Sequence, residues 1–425
     1  MTSSNSRTPL DAAQRRGFWA AWTGWTLDGM DGVIYALVLS PALTELLPRS
    51  GMDGSPANVA RVGSLLFALF LVGWGLAIVW GPIADRFGRV RTLAASVLMY
   101  ALFTGAAALA QNVWQLAAFR LLAGIGIGGE WALAGTYVAE SWPEDRRKMG
   151  AGYLQTGYYA GFFLAAALNY TVGARFGWRA MFLCGLAPVA LALYVVLKVK
   201  EPERWEKAAI SPPRMGPLRA IFCAPYRRRS IVNTALLTVS IIGLWAGAVY
   251  EPTAIITLAK RSGMDAMHAV RLASMGTGLL SIGTILGCLA APPLCERLGR
   301  RGATALYFAG MALCIWLCFG WAFYRPEGLT TFIALLFVLG FFGGNFAIYS
   351  LWLPEQYATR VRATAFAFTT SFGRWIGAGV NFLLAGAIQQ HHTLGLPVAC
   401  TALAFLLGLA FIPFGHETRA ERLPA

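Results

Sequence analysis

Apolar runs alternate with short polar turns from residue 17 almost to the carboxyl end of the 425-residue chain. At about 1.5 Å per residue, a helical run of about 20 apolar residues crosses the hydrocarbon of a bilayer. Twelve runs of that kind are present, at 17–43, 60–82, 92–110, 113–140, 151–173, 180–199, 231–256, 271–293, 303–323, 329–351, 364–387 and 393–414. The pattern predicts an all-α membrane protein of twelve transmembrane helices. It divides the chain into a polar tail (1–16), a six-helix bundle (17–199), a basic linker (200–230), a second six-helix bundle (231–414) and a second tail (415–425). The run at 17–43 is too long and too charged for a cleavable signal and is expected to stay in the mature protein.

Composition agrees with the pattern. Hydrophobic residues make up 57% of the chain and charged ones 13%, against about 25% charged in an average soluble domain. A net charge of +15 in a soluble protein would suggest nucleic acid. Here, with the amino terminus inside, the inner tails and loops hold 25 of the 35 Lys and Arg, the outer loops hold eight, and Arg120 and Arg374 fall within helices. That is the positive-inside distribution, so the basic runs are topology signals, both tails are expected in the cytoplasm, and no nucleic-acid partner is expected. The seven cysteines show no paired metal-ligand or redox spacing. No nucleotide-binding loop, nucleophile elbow or metal cluster is visible, which argues against an enzyme and against a cofactor.

The chemistry lies in the few charges that interrupt the apolar runs. The first helix carries Asp28 and Asp31 one turn apart, on one face. Counted from Gly17, they lie about 16 and 21 Å into the membrane. The fourth helix, RLLAGIGIGGEWALAGTYVAESWPEDRR, runs the other way and carries Arg120 and Glu130. The same arithmetic puts Glu130 near the depth of Asp28 and Arg120 near that of Asp31. An ion pair Asp31–Arg120 and a carboxylate pair Asp28–Glu130 follow if the two helices face each other. A charge at that depth costs about 2.5–3.5 kcal/mol by insertion scales, so it is kept for a purpose. Contacts that form and break around such carboxylates load and release a proton; the alternative is that the charges only hold two helices together. In the fifth helix Tyr158 is a cavity-lining or a packing residue, and the tenth offers Asn345 and Tyr349. In the eleventh, Arg374 lies about 16 Å in. Its two-pronged donor geometry suits a substrate carboxylate, backbone carbonyls or Asp28. The seventh contributes Trp245 and Glu251, the latter near the outer surface and read as an interfacial or gate residue.

The chain also repeats itself. GPIADRFGRVR (81–91) between the second and third helices is echoed by PPLCERLGRR (292–301), with Glu296 in the place of Asp85, Arg297 of Arg86, Gly299 of Gly88 and Arg300 of Arg89. Glu140 and Arg147 recur as Glu355 and Arg362. Both offsets are half the chain, so two similar six-helix halves are expected.

With this loop motif doubled at half-chain spacing, the chain resembles a major facilitator superfamily transporter over residues 17 to 414. The resemblance implies that Asp85, Arg86, Gly88 and Arg89, with Glu140 and the second-half residues Glu296, Arg297, Gly299 and Arg300, form a cytoplasmic gate. LDGMDGVIYALVLSPAL, the fourth helix and GWRAMF are similar to proton-coupled organic-acid symporters of the sialic acid:proton symporter and lactate permease type. That similarity implies proton coupling by Asp28, Asp31, Glu130 and Arg120, and substrate binding by Arg374 and Arg120 with Tyr158 and Asn345. The expectation is proton-coupled uptake of a small organic acid anion across the bacterial inner membrane by a monomer. The halves would rock around a midplane site in alternating access. An exporter or uniporter of the same fold is the competing reading.

Overall fold

A computed structural model of the chain describes residues 8–210, 215–391 and 393–425; linker residues 211–214 and His392 lie outside them. The fold is the all-α arrangement the apolar pattern predicts. The chain forms two compact units. One comprises Met1–Tyr226 with Leu353–Ser371 and Arg422–Ala425; the other comprises Arg227–Trp352 with Phe372–Glu421.

In the first unit, α1 (Ala12–Arg49) starts at a capping box. The Asp11 carboxylate accepts from the Gln14 N–H at 2.7 Å, and the Gln14 side chain accepts from the Asp11 N–H at 3.0 Å. After α2 (Pro56–Leu76) a short 3-10 turn leads into α3 (Trp80–Phe87), followed by α4 (Arg89–Ala107) and α5 (Val113–Ser141). Then α6 (Arg147–Leu168) passes through a π-turn at Asn169–Gly173 into α7 (Ala174–Cys184) and α8 (Ala187–Lys198). Two short helices, α9 (Glu203–Ala209) and α10 (Pro217–Ala220), lie in the linker. The second unit holds α11 (Arg227–Arg261), α12 (Ala266–Ile315), a π-turn at Trp316–Trp321, and α13 (Gly328–Gly343). Next come α14 (Phe346–Glu355) and α15 (Thr359–His391), whose residues 353–371 belong to the first unit and the remainder to the second, and α16 (Gly395–Ala399) and α17 (Ala402–Phe411) complete the second.

The eighth and ninth apolar runs are two helical segments joined inside α12 by a kink at Gly299, whose φ of 78° only glycine adopts without strain. Gly88, at φ 112°, makes the equivalent turn between α3 and α4.

The glycine run of α5 is packing surface. A Cβ on Gly126 would lie 2.5 Å from the backbone N of Tyr100 and 2.9 Å from the Ser96 carbonyl, so α4 and α5 meet backbone to backbone. Gly124 and Gly128 meet α2 in the same way. These approaches fix where the polar side chains of α4 and α5 stand.

Candidate functional site

Four ionisable side chains are buried inside the first unit: Asp28 and Asp31 on α1, Arg120 and Glu130 on α5. Asp31 Oδ2 lies 3.7 Å from Arg120 Nη1. That is an ion pair at its outer limit, and none of the three guanidinium nitrogens makes a hydrogen bond. What holds Arg120 is aromatic. Its guanidinium carbon lies 3.9 Å from the ring centre of Tyr35 and 4.4 Å from that of Phe70. Desolvated cation–π contacts reach about 2 kcal/mol each. Two of them offset most of the insertion cost of about 2.5–3.5 kcal/mol. The arginine is therefore seated by rings, with its N–H edges unspent.

Around the acids the structure adds residues that the sequence did not single out. The Tyr100 hydroxyl on α4 stands beside Glu130, Asp28 and Asp31, and the Thr104 hydroxyl, one turn on, faces Asp31. Neither closes to hydrogen-bond geometry. Glu130 makes no hydrogen bond to Asp28. Instead its Oε1 lies against Gly24, where a Cβ would collide with it. The three acids and the tyrosine hydroxyl thus form one buried cluster.

Next to this cluster is a wall of rings. Trp25 and Trp131 stack at 6.0 Å and 17°, Tyr158 lies 4.8 Å from Trp25, and Phe366 meets Trp131 edge-on at 5.3 Å. The buried Trp25 indole N–H has no hydrogen-bond partner.

The loop motif builds a second buried network in the same unit. Arg89 donates to both oxygens of Glu140 at 2.9 and 3.0 Å, to Asp85 Oδ1 at 2.8 Å and to the Thr359 carbonyl at 2.6 Å. Glu140 also accepts from Arg362 at 2.6 Å, and Arg147 donates to Glu355 at 2.8 Å. The two halves of the sequence echo thus pair crosswise: Glu140 with Arg362, Arg147 with Glu355. Asp85 Oδ2 accepts from the backbone N–H and hydroxyl of Thr364 at 2.8 and 2.6 Å, in the opening turns of α15, where the helix dipole favours an anion. Arg86 takes no part; it is exposed over the Phe87 ring.

In the second unit, Arg300 pairs with Glu296 at 2.7 Å, but Glu296 is 46% exposed, and Arg297 is exposed. Two further carboxylates complete both loops. Glu201 accepts from the backbone N–H groups of Arg89, Val90 and Arg91, and Glu417 from those of Arg300 and Arg301. Each caps the helix that starts after the turning glycine. Burial pushes the Glu201 carboxyl above its ordinary range. Glu417 is held below it, because the N–H groups of Arg300, Arg301 and Arg419 outweigh its burial.

Arg374 is 5% exposed in the second unit, on a turn of α15 packed against Thr238 and Ile241 of α11. Asn345 stands at the break between α13 and α14; its amide donates to the Phe342 carbonyl at 3.0 Å and its Oδ1 has no partner. Tyr349 pairs with Ser240 at 3.0 Å. The side chain of Trp245 lies outside the described residues.

The family model of the Major Facilitator Superfamily matches residues 21–381. The chain belongs to that superfamily. It is a multi-pass membrane transporter and not an enzyme. A probable 4-methylmuconolactone transporter of Cupriavidus pinatubonensis is 29% identical, over 95% of this chain and 89% of that protein. The sialic acid transporter NanX of Escherichia coli is 30% identical, over 46% of each chain. Among solved structures, the superfamily's proton:xylose symporter XylE superposes with a TM-score of 0.81 over 97% of this chain and 98% of that one, at 18% identity, a likeness of fold.

Tyr35, Phe70, Tyr100 and Thr104 were not marked by the sequence because aromatic and hydroxyl residues are common in transmembrane helices. Their role depends on which face of α1, α2 and α4 turns inward. For Glu201 and Glu417 a signal was available: each is the first acid after the last helix of its half, 216 residues apart.

Proposed function

We propose that this transporter takes up a small, planar organic acid anion together with a proton, across the bacterial inner membrane, by alternating access, with both termini in the cytoplasm and the monomer as working unit. The observation that carries this reading is the buried Asp28–Asp31–Glu130 cluster around Tyr100, with Arg120 seated between two rings beside it. A carboxylate in apolar surroundings is neutralised by a cation or by a proton. At 3.7 Å, Arg120 serves Asp31 only in part, and among the described residues Glu130 makes no bond to a cation. Proton uptake on this cluster is the charge balance that lets an anion enter. Arg374, with its fork-shaped donor, and Arg120 are the residues assigned to the substrate carboxylate, with Tyr158 and Asn345 lining. Asp85, Arg86, Gly88, Arg89, Glu140 and their second-half counterparts are assigned to the cytoplasmic gate. Here Arg89 and Glu140 have the central part and Arg86 and Arg297 the peripheral one.

Two features favour a planar unsaturated or aromatic acid over a sialic acid or an aliphatic monocarboxylate. The muconolactone transporter matches along nearly the whole chain, whereas the sialic acid transporter matches under half. The Trp25–Trp131–Tyr158–Phe366 wall offers flat faces for a flat molecule to stack on. The test is uptake into proteoliposomes under an imposed inward proton gradient, with labelled muconolactone, muconate, a hydroxybenzoate, lactate and sialic acid. The expected result is accumulation of one of the planar acids and its collapse with a protonophore. Accumulation of sialic acid or lactate alone would overturn the substrate class, and accumulation indifferent to the gradient would overturn symport.

A further inference from the structure

The second unit contains a buried carboxyl of its own. Glu251 lies on α11, immediately before Pro252, and is 1% exposed. Its Oε2 accepts a hydrogen bond from the Thr277 hydroxyl of α12 at 3.0 Å. Its Oε1 is buried and has no hydrogen-bond partner. That oxygen lies against Gly276 of α12, with Ile255 of α11 and Leu336 of α13 beside it, so a Cβ on Gly276 would stand 2.9 Å from Oε1. Among the described residues, the buried Cys318 thiol of the π-turn after α12 is a titratable neighbour. Among the described residues no Lys, Arg or His pairs with Glu251.

An ionised carboxylate enclosed by Ile, Leu and a glycine backbone, with one hydroxyl donor, lacks most of what an anion needs. In such surroundings the group takes up a proton. Thr277 occupies one oxygen and leaves the other as the place for it. The glycine at 276 adds to this: it lets Ile255 and Leu336 close in around Oε1, where a Cβ would stand 2.3 Å from Ile255, so the oxygen is enclosed by apolar groups.

We propose that Glu251, held by Thr277, is a proton-binding site of the second unit, separate from the Asp28–Asp31–Glu130 cluster. The proton passes from hydronium to Oε1 and leaves a water molecule and a neutral carboxylic acid. Its part in transport rests on the symport reading; its existence as a proton site does not. In the transport cycle it gives uptake a second titrating step, carried by a helix that has no residue in the first cluster. The position near the outer surface suggested an interfacial or gate residue; with its carboxyl buried, Glu251 is given a protonation role in this proposal.

The test is an infrared difference spectrum, wild type minus Glu251→Gln, on the full chain reconstituted in lipid at pH 7. Gel filtration and thermal unfolding establish that the variant is folded. The site predicts a carboxylic-acid C=O band in the wild type that is lost in E251Q and shifts in D2O. A difference spectrum with carboxylate bands and no C=O band would overturn it, and so would a C=O band that added Na+ removes at constant pH. Should E251Q be recovered unfolded, Thr277→Val carries the test. Loss of the hydroxyl that bonds the carboxyl displaces the band, and an unmoved band refutes the site. The two proposals fail separately. Uptake indifferent to a proton gradient, with the band assigned to Glu251, would remove symport and leave the site. Gradient-driven uptake with no Glu251 band would remove the site and leave symport.

Discussion

Glu140 accepts more charged hydrogen bonds than any other carboxylate of the loop network, and its removal yields a prediction with a magnitude. It is 4% exposed and accepts three charged hydrogen bonds, two from Arg89 and one from Arg362, between 2.6 and 3.0 Å. In Glu140→Ala, Arg89 keeps Asp85 and the Ala84 and Thr359 carbonyls. Arg362 keeps only neutral acceptors, the Pro354 and Pro424 carbonyls and the Thr359 hydroxyl. Removing one partner of a buried ion pair costs about 3–5 kcal/mol, because a guanidinium is left buried without its anion. At about 2–4 °C per kcal/mol for a unit of this size, unfolding should come about 6 °C or more earlier. The buried thiols Cys288, Cys295, Cys314 and Cys318 provide the assay, since a thiol-reactive fluorophore reaches them only as the protein opens. Lys207→Ala, which breaks an exposed pair of 3.5 Å with Glu203, serves as control and should leave the midpoint where it is. A Glu140→Ala midpoint within a degree of wild type would refute the reading of this network as a buried, mutually dependent set. Glu140→Ala/Arg362→Ala should recover part of the loss, because it removes the stranded cation as well.

Three further outcomes follow from the same geometry. Gly126→Val puts side-chain atoms where the Tyr100 backbone stands and should destabilise by about 1–3 kcal/mol, read as an earlier thermal midpoint, with loss of gradient-driven uptake as Tyr100 is displaced. Arg120→Lys keeps the charge but not the flat surface between Tyr35 and Phe70, so it should unfold earlier than wild type and transport less, against the equality that a purely ionic role would give. Glu201→Gln and Glu417→Gln should tilt the profile of thermal midpoint against pH in opposite senses. The raised Glu201 carboxyl contributes stability below the ordinary 4.5 that is lost as pH rises, so E201Q gains on wild type towards neutral pH. The lowered Glu417 carboxyl contributes stability above 4.5 that is lost on acidification, so E417Q falls behind wild type towards neutral pH. Both groups are partly exposed, and parallel profiles would show that neither capping bond depends on charge.

How far the sequence can be read is visible in particular residues. The depth count along two antiparallel helices set Arg120 beside Asp31, and they stand 3.7 Å apart, because 1.5 Å per residue holds wherever a helix is unbroken. The same count set Glu130 near the depth of Asp28, but not the contacts of Glu130 with Gly24 and Tyr100. Depth says nothing about rotation, and rotation is fixed by which glycine lets which backbone approach. The half-chain echo was plain in Glu140, Arg147, Glu355 and Arg362, but not that its members pair crosswise, since a repeat reports likeness and not contact. The break expected between the eighth and ninth runs falls at Gly299 inside α12, where a single residue at positive φ interrupts the helix without a long loop.

The central claim, that proton and organic acid move inward together, is tested most directly by following external pH. Proteoliposomes without an imposed gradient are given the transported acid in a weakly buffered medium, with protein-free liposomes as blank. The account predicts alkalinisation of the medium on addition of substrate, abolished by a protonophore and absent in Asp31→Asn. Acidification, or substrate entry with no change in external pH, would contradict it.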